Sequence, residues 1–341
     1  MPEVPAELRK IASALYSGAT VPAVDRLTEV LGGRSTPAST PRLQGAVGQW
    51  KDNGIATLVA GDDVTLLTST DGGWQVVGGW WPSLGIAEPQ LGGRRHVLAI
   101  GSDARPHEEV DRCRADVLQI IGVNGTGGAG VLGVPRDLWV PLYRGGTNKI
   151  NAAMVFGGPG AQQKTVAAAS GIDIEGYLLV GFEQFKKIIN FGMGGAIEVD
   201  NPTTVPNTVT LKGFSIPKGI VRLTGNQALA WARERKNHPD GDFGRNFNQG
   251  LLLKVFAMYA KAQGPLKLPA FMSSMQGVVK TNLSAEQLIT LGAWVFKLNP
   301  AEVRNKTARG AFGTRSGASV VEFDASVKKA FADMADGVLE S

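Results

Sequence analysis

The sequence predicts an α/β protein, an α/β/α sandwich around a central mixed sheet, preceded by a small N-terminal α+β module. Three observations lead there. Continuous apolar runs at 97–100 and 117–123, with a shorter one at 130–134, suit strands buried on both faces. Helical patterns at 161–170, 182–191, 226–236, 247–262 and 285–297 lie between and after strand-like segments, the alternation of a layered α/β domain. Before about residue 93 the periodicity is different, with two short helical patterns and then β-type alternation.

The elements follow in order. Within 5–31, Leu8, Ile11, Ala12 and Leu15 share one helical face; Val24, Leu27, Val30 and Leu31 mark a second helix, ended by Gly32 and Gly33. Residues 34–41 read as a linker. Residues 55–59 and 64–68 read as strands, and Asp71, Gly72 and Gly73 as the hairpin turn into a strand at 74–77. Trp74, Trp80 and Trp81 could stack sugars, but filling the core of a small module is the default for such a cluster. These changes divide the chain into a helical segment and linker at 1–45, a β-rich module at 46–92 and a larger unit at 93–341. In the larger unit, 125–130 (GTGGAG) reads as a hairpin turn, and strand-like 177–180, 196–199 and 319–323 complete the sheet. Thr224 is a plausible N-cap for the helix at 226–236. The segment 237–241 breaks it, and Asp242 caps a further helix on which Arg245 and Gln249 share a face.

Of the 341 residues, 43% are hydrophobic and 19% charged, the balance of a protein with a sizeable core. The net charge of +5 and a pI near 9.3 favour anionic partners without choosing among them. The single cysteine, Cys113, cannot form an internal disulfide; Arg112 and Arg114 beside it could lower its pKa, but a small buried or incidental thiol is the default reading. No run approaches the roughly 18 apolar residues of a membrane span. The N-terminal apolar positions are interrupted by Glu7, Arg9 and Lys10, unlike a secretory signal.

Polar residues gather at the ends of the apolar runs, where open α/β sheets place ligands. Asp103 and Arg105 follow the first run, and Arg112, Arg114 and Asp116 precede the second. Arg136 and Asp137 follow the third, with Lys149 and Asn151 beyond. A further cluster holds Arg233, Arg235, Lys236, Asp242 and Arg245. Carboxylates from separate segments suit Mg²⁺ (or Mn²⁺) whose other oxygens come from phosphate and water, and guanidinium groups clamp phosphate bidentately. Local ion pairing would explain one such cluster but not five. A DNA-binding face would be a basic stripe with few carboxylates, so no nucleic-acid partner is expected. His96, His107 and His238 lack zinc-ligand spacing, and neither a GxSxG nor a P-loop is present.

Taken in order, GSDAR, CRADVLQIIGVN, VLGVPRDLWVPL, NKINAAMVFGGP, GIDIEGYLLVGFEQFKKIINFGMGGAIEVD, LTGNQALAWARERK and DFGRNFNQ resemble the LytR-CpsA-Psr family of cell-envelope phosphotransferases. The resemblance is strong over about 95–260 and weaker through Phe323. It implies an α/β/α fold with an apolar groove, and transfer of a glycopolymer from a polyprenyl pyrophosphate carrier to a cell-wall acceptor such as peptidoglycan. It also implies an extracytoplasmic setting in which peripheral membrane contact stays open. By the same resemblance, Asp103 and Asp116 hold the metal. Arg105, Arg114, Arg136, Lys149 and Asn151 lie at the pyrophosphate, and Arg233 and Arg235 match the family's paired arginines. Arg245, Gln249 and Asp242 match the arginine, polar and acidic positions that follow. Ala115 stands where the family usually has serine. An acidic residue, Asp137 or Asp242 if free of its Arg neighbours, could take the acceptor hydroxyl's proton. The alternatives are a polyprenyl pyrophosphate hydrolase, a non-catalytic protein that binds lipid-linked glycan and, on the pI alone, a nucleic-acid-binding regulator.

Overall fold

The computed structural model describes residues 4–39, 41–105, 107–206, 215–236, 238 and 240–340. The chain begins with α1 (Ala6–Ser17) and α2 (Asp25–Gly32), whose buried faces are the expected Leu8, Ile11, Ala12 and Leu15, and Leu27 and Leu31. Five strands then form an antiparallel meander: β1 (Leu43–Trp50), β2 (Asn53–Ala60), β3 (Asp63–Thr70), β4 (Gly73–Trp81) and β5 (Ile86–Gln90). Strand alternation sends neighbouring residues to opposite faces. Leu67, Val76 and Trp81 meet α1 and α2, while Leu66, Val77 and Trp80 enter a second core. Trp81 is fully buried and its Nε1 donates to Thr65 Oγ1 at 2.8 Å, so Trp80 and Trp81 are core residues, with Trp74 packed at the margin.

The larger unit starts with β6 (Arg95–Ser102), β7 (Ala115–Val123) and β8 (Ala129–Gly133), joined as antiparallel neighbours. The GTGGAG segment is indeed the turn between β7 and β8, where Asn124 Oδ1 accepts from the backbone of Thr126 and Gly128. Next come the hairpin β9 (Trp139–Pro141) and β10 (Thr147–Lys149), α3 (Ala152–Ser170), β11 (Gly176–Val180) and α4 (Phe182–Lys187). A π turn ends the helical pattern that the sequence places at 182–191. The hairpin β12 (Ala196–Asn201) and β13 (Gly219–Thr224) leads into α5 (Gly225–Arg233), α6 (Asp242–Gln263), α7 (Leu268–Ser274), β14 (Lys280–Thr281) and α8 (Ala285–Lys297). The chain closes with β15 (Val303–Thr307), β16 (Phe312–Arg315), β17 (Ala318–Val321) and α9 (Ala325–Asp333).

The central sheet is mixed, in the order β14-β11-β6-β7-β8-β15, with β11/β6 and β8/β15 parallel and the other pairs antiparallel. Two expectations are corrected. Residues 196–199 and 319–323 do not complete this sheet; they pair in the separate hairpins β12–β13 and β16–β17. The sheet's outer strands are instead β14 and β15. The sequence of β15, VRNKT, has no apolar run because Arg304 is exposed and only Val303 is buried.

Residues of α3 and α9 cover one face of the sheet with Leu98, Ile100, Leu118, Ile120 and Leu132. On the other face, α8 contributes Ile289, Ala293 and Trp294 to a core that also takes in Ile55, Val77 and Trp80 of the meander. Helix α8 therefore lies between the two sheets, and α7 fixes the edge: Ser273 Oγ lies 2.8 Å from Gln49 N and 3.0 Å from Gln49 O. The layers run α1/α2, meander, α6–α8, mixed sheet, α3/α9.

Candidate active site

Antiparallel pairing puts the end of β6 beside the start of β7, with Ser102 opposite Ala115. Asp103 and Asp116 therefore emerge at the same edge. The connecting loop is closed by Asp103 N–H to Arg114 O at 3.1 Å and Arg114 N–H to Asp103 Oδ1 at 2.9 Å. Past the end of β8, Arg136 reaches back to Asp116, with Nη1 and Oδ2 2.7 Å apart. The β9–β10 hairpin then returns Lys149 to Asp137, Nζ to Oδ1 at 2.8 Å. Buried Asn151 ties these segments together through its backbone, donating to Arg136 O at 3.2 Å and accepting from Ala115 N at 3.5 Å.

Helix α6 delivers the opposite wall. Asp242 is its first residue rather than its cap: Gly241 occupies the cap position with φ 58°, and the Asp242 carboxylate turns to the arginines instead. Arg245 Nη2 lies 2.6 Å from Asp242 Oδ1, and Arg136 Nε lies 3.8 Å from Asp242 Oδ2 and 3.9 Å from Asp137 Oδ2. The N-terminal helix dipole adds positive potential here. The helix is held against the sheet by Asn246, which accepts from Gln119 Nε2 at 3.2 Å and donates to Val134 O at 3.1 Å. Only glycine fits beneath it, because a Cβ on Gly133 would lie 1.5 Å from Asn246 Oδ1.

The electrostatics are those of a strained cluster. Burial, then the charge of Asp116, raises the pKa of Asp103 above the usual carboxylate value. Burial works against the Arg136 charge, but Asp116, Asp242 and Asp137 outweigh it and raise that pKa. Arg245 is 7% exposed; burial lowers its pKa, and Arg136 and Arg235 add to the effect against the pull of Asp242. The Nε atoms of Arg136 and Arg245 are buried without a hydrogen-bond partner among the described residues. Two desolvated guanidinium donors left without a protein acceptor suit an anionic ligand.

Other site residues stand further out. Contrary to the expected helix at 226–236, α5 ends at Arg233, and Glu234 is extended with φ −67° and ψ 129°. Glu234 competes with the helix by accepting from the backbone of Arg235 at 3.0 Å and Lys236 at 2.8 Å. Arg233 and Arg235 are thus not two positions on one helix. Arg233 stacks over the Phe182 ring at 4.4 Å, and exposed Arg235 projects from the following turn. The capping box of Thr224 with Gln227 is present. Asn237 and Pro239 of the breaker lie outside the described residues. Gln249 shares the Arg245 side of α6 and donates to Ala232 O at 2.9 Å, bracing the end of α5. Arg105 is exposed and makes no ion pair among the described residues, so the structure does not draw it into the cluster. Arg114 is exposed at the rim, where its charge reaches Asp103. Arg112 and Arg114 do not activate Cys113, in keeping with the default of an incidental thiol: burial raises its pKa, and the Glu108 carboxylate, 3.6 Å from Sγ, adds to the rise.

Sequence reasoning missed Glu234, which orients Arg235, and Asn246, which sets α6 on the sheet. Gln119 in the middle of an otherwise apolar strand was the available signal for the second. A cleft of about 600 Å³ lies elsewhere, around Arg95 and His96 at the opposite end of β6, and none of the expected site residues line it.

Among the described residues no group of three or more His, Cys, Asp or Glu side chains could hold a metal by itself. The Asp103–Asp116 pair does fit a cation that takes its remaining oxygens from a ligand and water. Their mutual repulsion is the imbalance a cation relieves, and Asp103 Oδ2 and Asp116 Oδ1 have no protein partner among the described residues.

A family model described as the LytR_cpsA_psr family matches residues 87–335. The chain belongs to that family. Among curated relatives of this LytR_cpsA_psr protein is a polyisoprenyl-teichoic acid–peptidoglycan teichoic acid transferase TagU of Bacillus mycoides (strain KBAB4). It is 33% identical over 200 residues, covering 57% of this chain and 62% of the relative. The match thus spans less than two thirds of that relative's length. The crystal structure of Bacillus subtilis TagV superposes with a TM-score of 0.59 at 27% identity, covering 70% of this chain and 94% of TagV. TagT bound to LIIa-WTA gives the same TM-score at 21% identity over 73% of this chain and 92% of TagT, a likeness of fold.

Proposed function

We propose that this protein is a phosphotransferase that moves a glycopolymer from a polyprenyl pyrophosphate carrier to a cell-wall acceptor such as peptidoglycan, at the extracytoplasmic face of the membrane. The observation that carries the reading is the convergence of Arg136 and Arg245 on a carboxylate cluster containing the Asp103–Asp116 pair. The names of the TagU relatives support the same class of donor and acceptor.

In this reading the acceptor hydroxyl oxygen bonds to the phosphorus that carries the glycan. The bridging P–O bond breaks, and polyprenyl phosphate leaves with the bond's electron pair. Negative charge grows on the leaving phosphate and on the equatorial oxygens, where fixed cations stabilise it most. Arg136 and Arg245 are assigned to the pyrophosphate from inside the site, Lys149 and Arg114 from its flanks, and Arg233 and Arg235 from the outer rim. Gln249 keeps α5, and with it Arg233, against α6; the Asn151 backbone keeps Arg136 in place. Asp242 and Asp137, the carboxylates not assigned to metal, are ion-paired with Arg245 and Lys149, so either takes the acceptor's proton only when the bound pyrophosphate draws its cation away. Mg²⁺ held by Asp103 and Asp116 would neutralise phosphate charge as a Lewis acid.

The half-buried apolar side chains of Leu251, Val255, Phe256, Met258 and Tyr259 on α6, beside Phe185 and Phe271, support a seat for the polyprenyl tail. No helix among the described residues is long and apolar enough to cross a membrane.

The test supplies a polyprenyl pyrophosphate saccharide, uncross-linked peptidoglycan and Mg²⁺. Acceptor-linked phosphodiester and polyprenyl phosphate are the expected products. Phosphate release unaffected by acceptor would instead establish a hydrolase, and donor binding without turnover a carrier protein.

A further inference from the structure

Beyond the ion cluster, the β9–β10 hairpin carries a second built feature at its tip. A cavity of about 260 Å³ opens between Leu142, Arg144, Ala153, Phe156, Ala161 and Thr165. Two aromatic rings stand in solvent there, Tyr143 at 56% and Phe156 at 58% exposure, against the usual tendency of such rings to be buried. Their supports are ordered. Fully buried Thr165 accepts from Tyr143 N at 3.1 Å and donates to Ala161 O at 2.8 Å, which fixes the tip to α3. Lys164 Nζ lies 3.1 Å from the Tyr143 hydroxyl and 4.6 Å from its ring centroid. Arg144 lies across Gly157, where a Cβ would come 2.7 Å from Arg144 Nε. The helix bends just beyond, at Gly158 (φ 71°) and Pro159. Neither Arg144 nor Lys164 has a carboxylate partner among the described residues.

We propose that this hairpin tip and the first turns of α3 form a binding subsite for the acceptor, a saccharide chain bearing carboxylate groups. The inference rests on the transferase reading and adds where the acceptor sits. Exposed aromatic faces accept the C–H faces of sugar rings, and a concave apolar pocket with a few polar groups is the usual form of a small-ligand site. Arg144 and Lys164 complement carboxylates that a neutral glycan lacks. The position is continuous with the reaction centre. Thr147 pairs with Pro141 two residues from Lys149, so the tip begins roughly 7 Å from Lys149 along the strand. A chain held at the tip can lay a hydroxyl over the ion cluster.

The experiment uses the whole chain and the surface variants Tyr143→Ala, Phe156→Ala and Arg144→Gln. Calorimetry measures binding of two probes, a soluble peptidoglycan oligosaccharide with its stem peptides and a neutral chito-oligosaccharide. Donor cleavage without acceptor is measured in parallel. Either aromatic variant is expected to weaken both probes about three- to tenfold, and Arg144→Gln to weaken only the charged one. Acceptor-free donor cleavage stays at the wild-type level in all three. Equal affinities across the variants, or displacement of the probes from wild type by polyprenyl phosphate, would overturn the subsite. Absence of donor cleavage by wild type refutes the transferase reading instead, and the binding measurements still decide whether a saccharide sits at the tip.

Discussion

Replacing Arg136 with methionine keeps most of the side chain's volume and removes only its charge and donors. Its guanidinium lies 2.7 Å from Asp116, 3.8 Å from Asp242 and 3.9 Å from Asp137, and its side chain is 20% exposed. At an effective dielectric constant near 20, gross Coulomb attraction is about 6 kcal/mol at the shortest contact and about 4 kcal/mol at each of the others. Desolvation of the guanidinium and repulsion among the carboxylates cancel most of this. Removing one partner of a fully buried pair costs about 3–5 kcal/mol net, and partial exposure places Arg136 lower, at about 2–3 kcal/mol. Urea unfolding followed by fluorescence of the buried Trp231 and Trp294 measures that loss. The pH dependence has a definite sign. Burial opposes the Arg136 charge, but Asp116, Asp242 and Asp137 outweigh it and raise its folded pKa, so its contribution is complete below the unfolded arginine pKa, neutral pH included, and is lost only as pH rises through the raised folded value. Turnover falls about 100- to 1000-fold, as expected for losing one fixed donor to developing charge. A stability loss under about 1 kcal/mol at neutral pH would refute the reasoning, because the cluster would then be screened by solvent.

Asp103→Asn should leave stability at pH 7 unchanged or slightly higher while abolishing the Mg²⁺ response. The folded pKa of Asp103 is raised, so its charge opposes folding above that pKa, and the variant's advantage disappears as pH falls through it; thermal melts at two pH values with and without Mg²⁺ read this. Gly133→Ala drives a methyl group into Asn246 and should cost about 1–3 kcal/mol, with part recovered in the double variant with Asn246→Ala. Trp294→Ala opens a cavity between the two sheets and should cost about 3–5 kcal/mol, measured by urea unfolding.

Much of this was legible in the chain because apolar runs and strand-end charges are local signals. Runs at 97–100 and 117–123 gave β6 and β7, and the antiparallel join between them necessarily brings Asp103 and Asp116 to one edge. The helix at 285–297 coincides with α8. What escaped was set by tertiary contacts. Strand β15 is polar in sequence and becomes a strand by pairing with β8. Strand-like 196–199 and 319–323 carry the right alternation, but their partners are the adjacent hairpin strands, a choice periodicity does not encode. Helix α5 stops three residues early because the Glu234 side chain takes the backbone donors of Arg235 and Lys236. The Cys113 thiol is not activated because proximity in sequence to Arg112 and Arg114 matters less than burial and Glu108.

The most direct test of the central claim is acceptor-dependent transfer from a polyprenyl pyrophosphate saccharide, comparing wild type with Arg136→Met and Arg245→Met. Wild type should form the glycan–acceptor phosphodiester in the presence of Mg²⁺, and each variant should form it at least about 100-fold more slowly. Equal product formation by all three proteins would contradict an arginine-clamped pyrophosphate at this site.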